Sequence, residues 1–169
     1  MKKITTILFI IFSLTAFAQE KVNPTDEFIV SGKVLHETKF TIADLAKFES
    51  HKINDVTITN HLGVKKGMAT GLTGVLVKDI LAKISFDEPN PKNLSEFFLT
   101  FIAIDGYKAV FSWNEIFNTE TGNHLFIIIE KQGQKISNME ERILLMSTAD
   151  FKTGRRHIKS LNKIVVGRS

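Results

Sequence analysis

The alternation of apolar and polar residues in short stretches is the main structural signal in the chain. Residues 28–35 place Phe28, Val30 and Val34 on one face, as expected of a strand with one buried side. Other stretches rich in apolar or β-branched residues predict further strands. They lie at 55–59, 97–104, 107–111, 125–130, 142–146 and, leading into a last strand, 158–166.

Helical spacing is restricted to short segments. Between residues 75 and 84, the apolar positions fall on one face of a helix. Thr41 can cap a second short helix. Ser112 and Glu115 have the spacing of a capping box, which predicts that a third helix begins there.

Glycine marks the turns between the predicted strands. Asp105-Gly106 predicts a tight hairpin turn, and Gln132-Gly133 predicts a second turn. The stretch 63–74 (GVKKGMATGLTG) lacks the GK[ST] ending of a phosphate-binding loop and predicts a loop or a distorted strand. Strands and helices do not alternate regularly, so nothing supports a Rossmann fold. The pattern predicts a single α+β domain of short mixed β-sheets with a few short helices.

The first 18 residues have the layout of a secretory signal peptide. Two lysines precede an apolar run at 4–14, and small residues occupy the −3 and −1 positions of a predicted cleavage site after Ala18. A membrane anchor is the weaker alternative, since a span needs about 20 apolar residues. The sequence therefore predicts a periplasmic or secreted protein with a flexible lead-in at 19–27 and a domain at 28–169.

Composition narrows the candidate chemistry. The net charge is +4, of which the two lysines of the signal peptide supply two, and the remainder is too weak to indicate nucleic acid binding. Cysteine is absent, which excludes disulfides, thiolate nucleophiles and cysteine-ligated metals. The five histidines form no HExxH motif, and no GxSxG motif occurs. We therefore predict no catalytic residue and no metal ligand.

The segment 142–161 (RILLMSTADFKTGRRHIKSL) has the strongest candidate binding chemistry. In it a polar, glycine-containing loop follows an apolar strand, a position where ligands often bind. Arginine offers planar, paired donors for a phosphate, a carboxylate or a heterocycle carbonyl. Asp150 can accept from an exocyclic amine. A solvated basic turn that only positions the last strand is the alternative, and the pattern alone does not decide between them.

An ordered set of motifs resembles the molybdopterin-binding domain of sulfite oxidase-like oxidoreductases. The resemblance spans about residues 28–166 and implies the fold of that family. The motifs are a V-x-G-x-V strand at 30–34, a T-x-x-D-L helix start at 41–45, a G-V-x-L-x-D-I-L helix with shifted spacing at 74–81, a D-G-Y hairpin at 105–107, Arg142, and a G-x-[RK]-x-[IV]-K-x-[IL] stretch at 154–161.

The last of these motifs surrounds the pterin and its phosphate in that family. The resemblance therefore implies ligand contacts from Gly154, Arg156, His157 and Lys159, with Arg142 as a further candidate. Alternation along an extended segment sends Arg155 and Arg156 to opposite faces, so only one of them can face the ligand.

The chain departs from the family at the metal ligand. The family's cysteine is expected after the strand at 55–59, in a C-x-x-G context, where this chain has Asn60-His61-Leu62-Gly63. An amide or an imidazole is a harder ligand than a thiolate and does not reproduce the same site. Small exported relatives without this cysteine look like pterin-binding proteins that report to a membrane-bound partner.

Three hypotheses follow. The favoured one is an exported, non-catalytic binding protein for a pterin or related heterocycle, with no covalently bound cofactor and a membrane sensor as its partner. Asp150 would pair with the ring edge, His61 would line the mouth, and Trp113 or Tyr107 would cover the ring. The second is a molybdenum-cofactor oxidoreductase with coordination through Asn60 or His61. The third is a ligand-free interaction module that binds a partner through an exposed edge strand.

Overall fold

The computed structural model describes residues 24–169. The predicted signal peptide and the lead-in up to residue 23 lie outside the described residues. Within the described part of the chain, no helix is long and apolar enough to cross a membrane. The strands form two five-stranded sheets and a separate two-stranded ribbon.

The first sheet joins the two ends of the described chain. Its strands, in spatial order, are β2 (Thr38–Thr41), β1 (Glu27–Gly32), β12 (Leu161–Arg168), β7 (Phe97–Ala103) and β8 (Lys108–Ser112). β1 and β12 pair in parallel, and the other neighbours pair antiparallel. In β7 every second side chain is buried, which confirms the predicted alternation.

The second sheet is built around β9, which pairs with three other strands. Its members are β3 (Ser50–Ile53), β6 (Leu72–Leu76), β9 (Leu125–Lys131), β10 (Gln134–Lys135) and β11 (Leu144–Ser147). All of its pairings are antiparallel. The first four residues of β9 and all four of β11 are buried, so this part of the sheet lies inside the domain.

The ribbon and the helices are short. The ribbon consists of β4 (Val56–Thr59) and β5 (Lys65–Ala69), and it joins neither sheet. The α-helices are α1 (Ile42–Leu45), α2 (Val77–Leu81), α3 (Trp113–Phe117) and α4 (Glu120–Asn123), and 3-10 helices span Pro91–Glu96, Ile136–Asn138 and Thr153–Arg155.

Side-chain caps begin two of the helices as predicted. Thr41 caps α1 together with Asp44, and Ser112 caps α3 together with Glu115. In each pair the hydroxyl accepts from a backbone N–H, and the carboxylate accepts from the backbone N–H of the capping residue. The capping box read from the sequence at Ser112 is therefore confirmed.

One apolar core connects both sheets and the inner side of the ribbon. Its largest fully buried side chains include Phe28, Phe97, Phe101 and Phe111 of the first sheet. Val56 and Ala69 of the ribbon belong to the same core. The ribbon is thus fastened to the domain by one face, and its other face is left to solvent.

Two sequence-based expectations differ from the structure. Val75 and Leu76, predicted to start a helix, belong to β6, because their backbones pair with β9. Arg142, predicted to start a strand, lies in a turn with a φ of 49°, and β11 begins at Leu144. In the first case a pairing with a strand distant in sequence overrides the local helical spacing.

Candidate functional site

A cleft of about 490 Å³ opens between β3, β4 and the loop that follows β11. The end of α4 and the start of β9 complete its wall. Its lining combines polar groups with two aromatic rings. The residues that line it are Lys52, Ile53, Asn54, Asp55, Val56, Thr57, Thr59, Asn123, His124, Phe126, Thr148, Asp150, Phe151 and Thr153.

The loop after β11, residues 148–156, is fastened to the ribbon by hydrogen bonds and by close packing. The Thr153 hydroxyl accepts from the Thr59 N–H at 2.9 Å and donates to the Thr57 carbonyl at 3.0 Å. Arg155 Nε donates to the His61 carbonyl at 3.0 Å. Gly154 packs so closely that an added Cβ would lie 2.2 Å from the Thr59 carbonyl oxygen. These contacts hold the 148–156 loop along one side of the cleft.

Arg156 is bound inside the domain by two carboxylates. Its Nε and Nη2 donate to the two oxygens of Asp150 at 2.8 and 2.6 Å, and its Nη1 donates to Glu115 at 2.8 Å. The guanidinium carbon lies 4.1 Å from the centre of the Phe111 ring. All three donor nitrogens of Arg156 therefore have a partner within the protein.

Electrostatics in this cluster favour the charged forms. The hydrogen bonds from Asp150 raise the pKa of Arg156 above its usual value, against the opposing effect of burial. Burial opposes ionisation of Glu115, but the Ser112 N–H and the Arg156 guanidinium outweigh it and lower the pKa of that carboxyl. The three residues form a charged group with one net negative charge, because two carboxylates share one guanidinium.

Asp150 is the one predicted site residue that lines the cleft. Its carboxylate also accepts from the Ser147 hydroxyl at 2.7 Å, in addition to its two bonds from Arg156. Asp150 thus connects the wall of the cleft with the buried cluster. A ligand that approached this carboxylate would meet a group already bound by three donors.

The position that the resemblance assigns to a metal ligand is occupied by a turn. The Asn60 side-chain oxygen accepts from the N–H groups of Leu62 and Val64 at 3.0 and 2.9 Å. His61 is exposed, and its backbone carbonyl binds Arg155. Among residues 24–169, no three histidine, cysteine or acidic side chains are placed to hold a metal ion. The donor set at this turn does not fit the thiolate-coordinated molybdenum of the family that the sequence resembles.

Trp113 is the first residue of α3 and packs against the core. Its ring lies 4.9 Å from that of Phe117, and its Nε1 is buried without a hydrogen-bond partner among the described residues. It does not line the cleft.

Three other predicted residues also lie away from the cleft. Arg142 donates to the Ser137 carbonyl and lies 3.3 Å from Asp26. Lys159 is exposed, whereas His157 is partly buried and its Nε2 is shielded from solvent. Burial and the nearby Lys159 charge lower the pKa of His157 to about 4. The structure therefore does not bring Arg142, His157 and Lys159 together with Asp150.

Several cleft residues were not identified from the sequence. Asp55, Thr57, Asn123, His124 and Thr148 come from segments far apart along the chain, and no motif joins them. Phe151 alone left a local signal, because it is an apolar residue within a polar loop. Its side chain is fully exposed at the cleft.

Comparison with solved structures identifies the fold. The chain is similar to the sulfane dehydrogenase SoxCD from Paracoccus pantotrophus, with a TM-score of 0.63 and 12% sequence identity. The match covers 86% of this chain and 40% of that chain, so this protein corresponds to less than half of its structural neighbour. No protein-family model and no curated protein sequence matches the chain.

This likeness concerns the fold alone. It confirms the predicted α+β class, in which short mixed sheets and a few short helices form a sulfite oxidase-like domain. The protein is thus a small domain whose architecture is similar to part of that dehydrogenase.

Proposed function

We propose that the protein is an exported, non-catalytic binding protein for a pterin or a related flat heterocycle, held in the cleft beside the 148–156 loop. The observation that supports this most directly is the position of the cleft. The cleft is lined by Thr148, Asp150, Phe151 and Thr153, which directly precede the stretch 154–161 that resembles a pterin-binding motif, and by β4, the strand before Asn60. Its volume of about 490 Å³ is in the range of small-molecule sites.

The lining of the cleft suits a flat ring with a polar edge. Asp55 is exposed and has no ion-pair partner within residues 24–169, so its carboxylate is free to accept from an amino group and a ring N–H. Asn123 and Thr148 can exchange hydrogen bonds with a ring carbonyl or nitrogen. The Phe151 ring offers an apolar face at the rim. In this arrangement Asp55 binds the ring edge, and Asp150 positions the loop.

A binding role is favoured over the molybdenum oxidoreductase alternative by the donor groups present. The chain contains no thiol, and the Asn60 amide oxygen already holds the turn that follows β4. The ligand-free module is the second alternative, and the open cleft argues against it, because that hypothesis expects bulky apolar side chains to fill the space. The proposal includes export because residues 1–18 have the pattern of a signal peptide. It also includes a membrane-bound sensor as partner.

Calorimetric titration tests the proposal. Protein beginning at Gln19 is titrated with a tetrahydropterin, and Asp55→Asn is compared with Asp87→Asn, an exposed aspartate outside the cleft. Loss of a charge-assisted hydrogen bond should weaken binding roughly 10-fold or more in Asp55→Asn and leave Asp87→Asn unchanged. Absence of binding by the unmodified protein, or equal effects of both changes, would contradict the proposal.

A second measurement separates the alternatives. Protein purified from its native compartment is denatured, and the released small molecules and metals are identified. A pterin without metal supports the binding protein. Stoichiometric molybdenum with a pyranopterin would favour the oxidoreductase, and the absence of any ligand, together with a flat titration, would favour the interaction module.

A further inference from the structure

Half of the strongly exposed apolar side chains lie on two segments that contact each other. The described chain has eight large apolar residues with high exposure, and four of them lie on the ribbon or the 148–156 loop. They are Leu62 (65% exposed), Val64 (55%), Met68 (48%) and Phe151 (101%). We call these four residues the apolar tip.

The two segments that carry the apolar tip form one surface. The Lys152 side chain lies beside the ribbon turn, since a Cβ added to Gly63 would come within 3.4 Å of Lys152 Cε. Arg155 binds the His61 carbonyl, and Thr153 binds Thr59 and Thr57. Leu62 and Phe151 are therefore held on neighbouring turns that are tied to each other, on a ribbon that neither sheet incorporates.

The two segments that carry the apolar tip are rich in basic residues. Lys65, Lys66, Lys152 and Arg155 are exposed on the same two segments. No aspartate or glutamate occurs at residues 56–78 or 151–169. Two carboxylates lie near the tip. Asp55 lines the cleft, and Asp150 is paired with Arg156, so the four basic residues outnumber them. The tip therefore combines protruding apolar side chains with an excess of positive charge.

We propose that the apolar tip docks on an anionic lipid bilayer. Leu62, Val64 and Phe151 would enter the boundary between headgroups and acyl chains, and the flanking lysines would bind lipid phosphates. Apolar side chains surrounded by lysine and arginine are typical of proteins that bind at the membrane interface. The long lysine side chains can place their charges at the phosphates while their methylene groups contact the apolar layer.

This inference does not rest on the proposed function, although the two are compatible. Phe151 belongs both to the apolar tip and to the rim of the cleft. Docking of the tip would therefore place the entrance of the cleft at the membrane surface. A ligand or a membrane-bound partner would then be reached without release of the protein into solution.

Vesicle co-sedimentation tests the proposal with protein that begins at Gln19, so that the apolar run at 4–14 cannot contribute. The vesicles contain equimolar phosphatidylcholine and phosphatidylglycerol, and phosphatidylcholine alone serves as the neutral reference. The variants are Leu62→Ser/Val64→Ser and Lys65→Glu/Lys66→Glu. Their matched controls are Leu35→Ser, which is exposed in the turn between β1 and β2, and Lys33→Glu/Lys83→Glu.

We expect binding to the anionic vesicles that both tip variants weaken roughly 10-fold or more and that added salt reduces. The controls should bind like the unmodified protein. The four substituted positions, 62, 64, 65 and 66, are all exposed, and circular dichroism verifies that each variant remains folded. Pterin titration of Leu62→Ser/Val64→Ser should match the unmodified protein, which separates this proposal from the one on the cleft.

Three results would overturn the proposal. The first is a lack of binding to anionic vesicles, and the second is equal binding to neutral ones. The third is concentration-dependent dimerisation in sedimentation velocity that Leu62→Ser/Val64→Ser abolishes, because the tip would then be the contact between two copies of this chain.

Discussion

The end and the middle of the 148–156 loop differ in how their polar and apolar groups are satisfied. Arg156, at the end, is 24% exposed in its side chain and bound by Asp150, Glu115 and the Phe111 ring. Phe151 and Lys152, in the middle, are exposed. Basic residues a few positions apart thus have opposite roles, since one is fixed within the fold and the other is available to a ligand or a membrane.

This difference changes how the basic stretch at 154–159 is interpreted, because not all of its charges are available for binding. A sequence motif records which charges are present, but it does not record which of them the protein itself neutralises. Changes at Arg156 should affect stability, and changes in the exposed middle of the loop should affect binding with little effect on stability. Four predictions test this division.

The largest expected effect is that of Arg156→Ala. The change leaves Asp150 and Glu115 without their common partner and removes the cation from the Phe111 ring. We expect a loss of about 3 kcal/mol in the free energy of unfolding, measured by urea denaturation. The control Arg155→Ala, an exposed residue with one hydrogen bond to a carbonyl, should lose about 1 kcal/mol or less. Similar losses in both variants would contradict the division.

The second prediction concerns pH. The unfolded His157 imidazole titrates near 6.5, whereas burial and the Lys159 charge hold its pKa near 4 in the folded state. As pH falls, the unfolded chain takes up this proton first. The free energy of unfolding should therefore be highest above pH 6.5 and decrease by up to about 3 kcal/mol towards pH 4.

The control for this prediction is a change that removes the titrating group. His157→Gln should lack the slope between pH 6.5 and 4.5, and His61→Gln, at an exposed position, should retain it. Below pH 4.5 the lowered pKa values of Glu115 and Glu141 add a further loss of stability. An unchanged slope in His157→Gln would show that other groups produce it.

The third prediction addresses the join between the loop and the ribbon. In Gly154→Ala the new Cβ would lie 2.2 Å from the Thr59 carbonyl oxygen, so one of the two backbones must move. We expect a loss of about 2 kcal/mol, measured by thermal or urea unfolding. Gly67→Ala is the matched control, because no atom lies within 4 Å of its added Cβ. If Gly154→Ala does not change the stability, the loop is not held against β4.

The smallest effect on stability is expected in the exposed middle of the loop. Phe151→Ser removes a side chain that is 101% exposed, and the free energy of unfolding should change by no more than about 0.5 kcal/mol. Urea unfolding checks this value. A loss above about 1 kcal/mol would show that Phe151 packs within the domain. It would also sharply reduce the contrast in stability between changes at Arg156 and at Phe151.

The predictions from the sequence were most accurate where the determining contacts are local. The turn at Asp105-Gly106 forms as expected, with Gly106 at a φ of 84°, a value that glycine adopts without strain. The Ser112 cap depends on a carboxylate three residues away. The helix predicted from residue 75 was wrong at its start, because β9, about 50 residues later, recruits Val75 and Leu76 into a strand.

The candidate site likewise shows that contacts between distant segments are not predicted from the sequence. Asp150 was recognised because it lies in a loop with the right chemistry, but its pairing with Arg156 is a tertiary arrangement. Glu115 lies 41 residues from Arg156 and was read from the sequence only as a helix cap. Asp55 and Asn123 meet at the cleft only because β3, β4 and α4 fold against one another.

The sequence by itself determined the α+β class, most strands, the turns and the caps, since these depend on alternation, backbone conformation and contacts within a few residues. It also determined that no thiol is available for chemistry. Only the tertiary structure decided which charges are neutralised and which apolar groups remain exposed. Those outcomes depend on distances between segments far apart in the chain, and a pattern of residue types does not contain such distances.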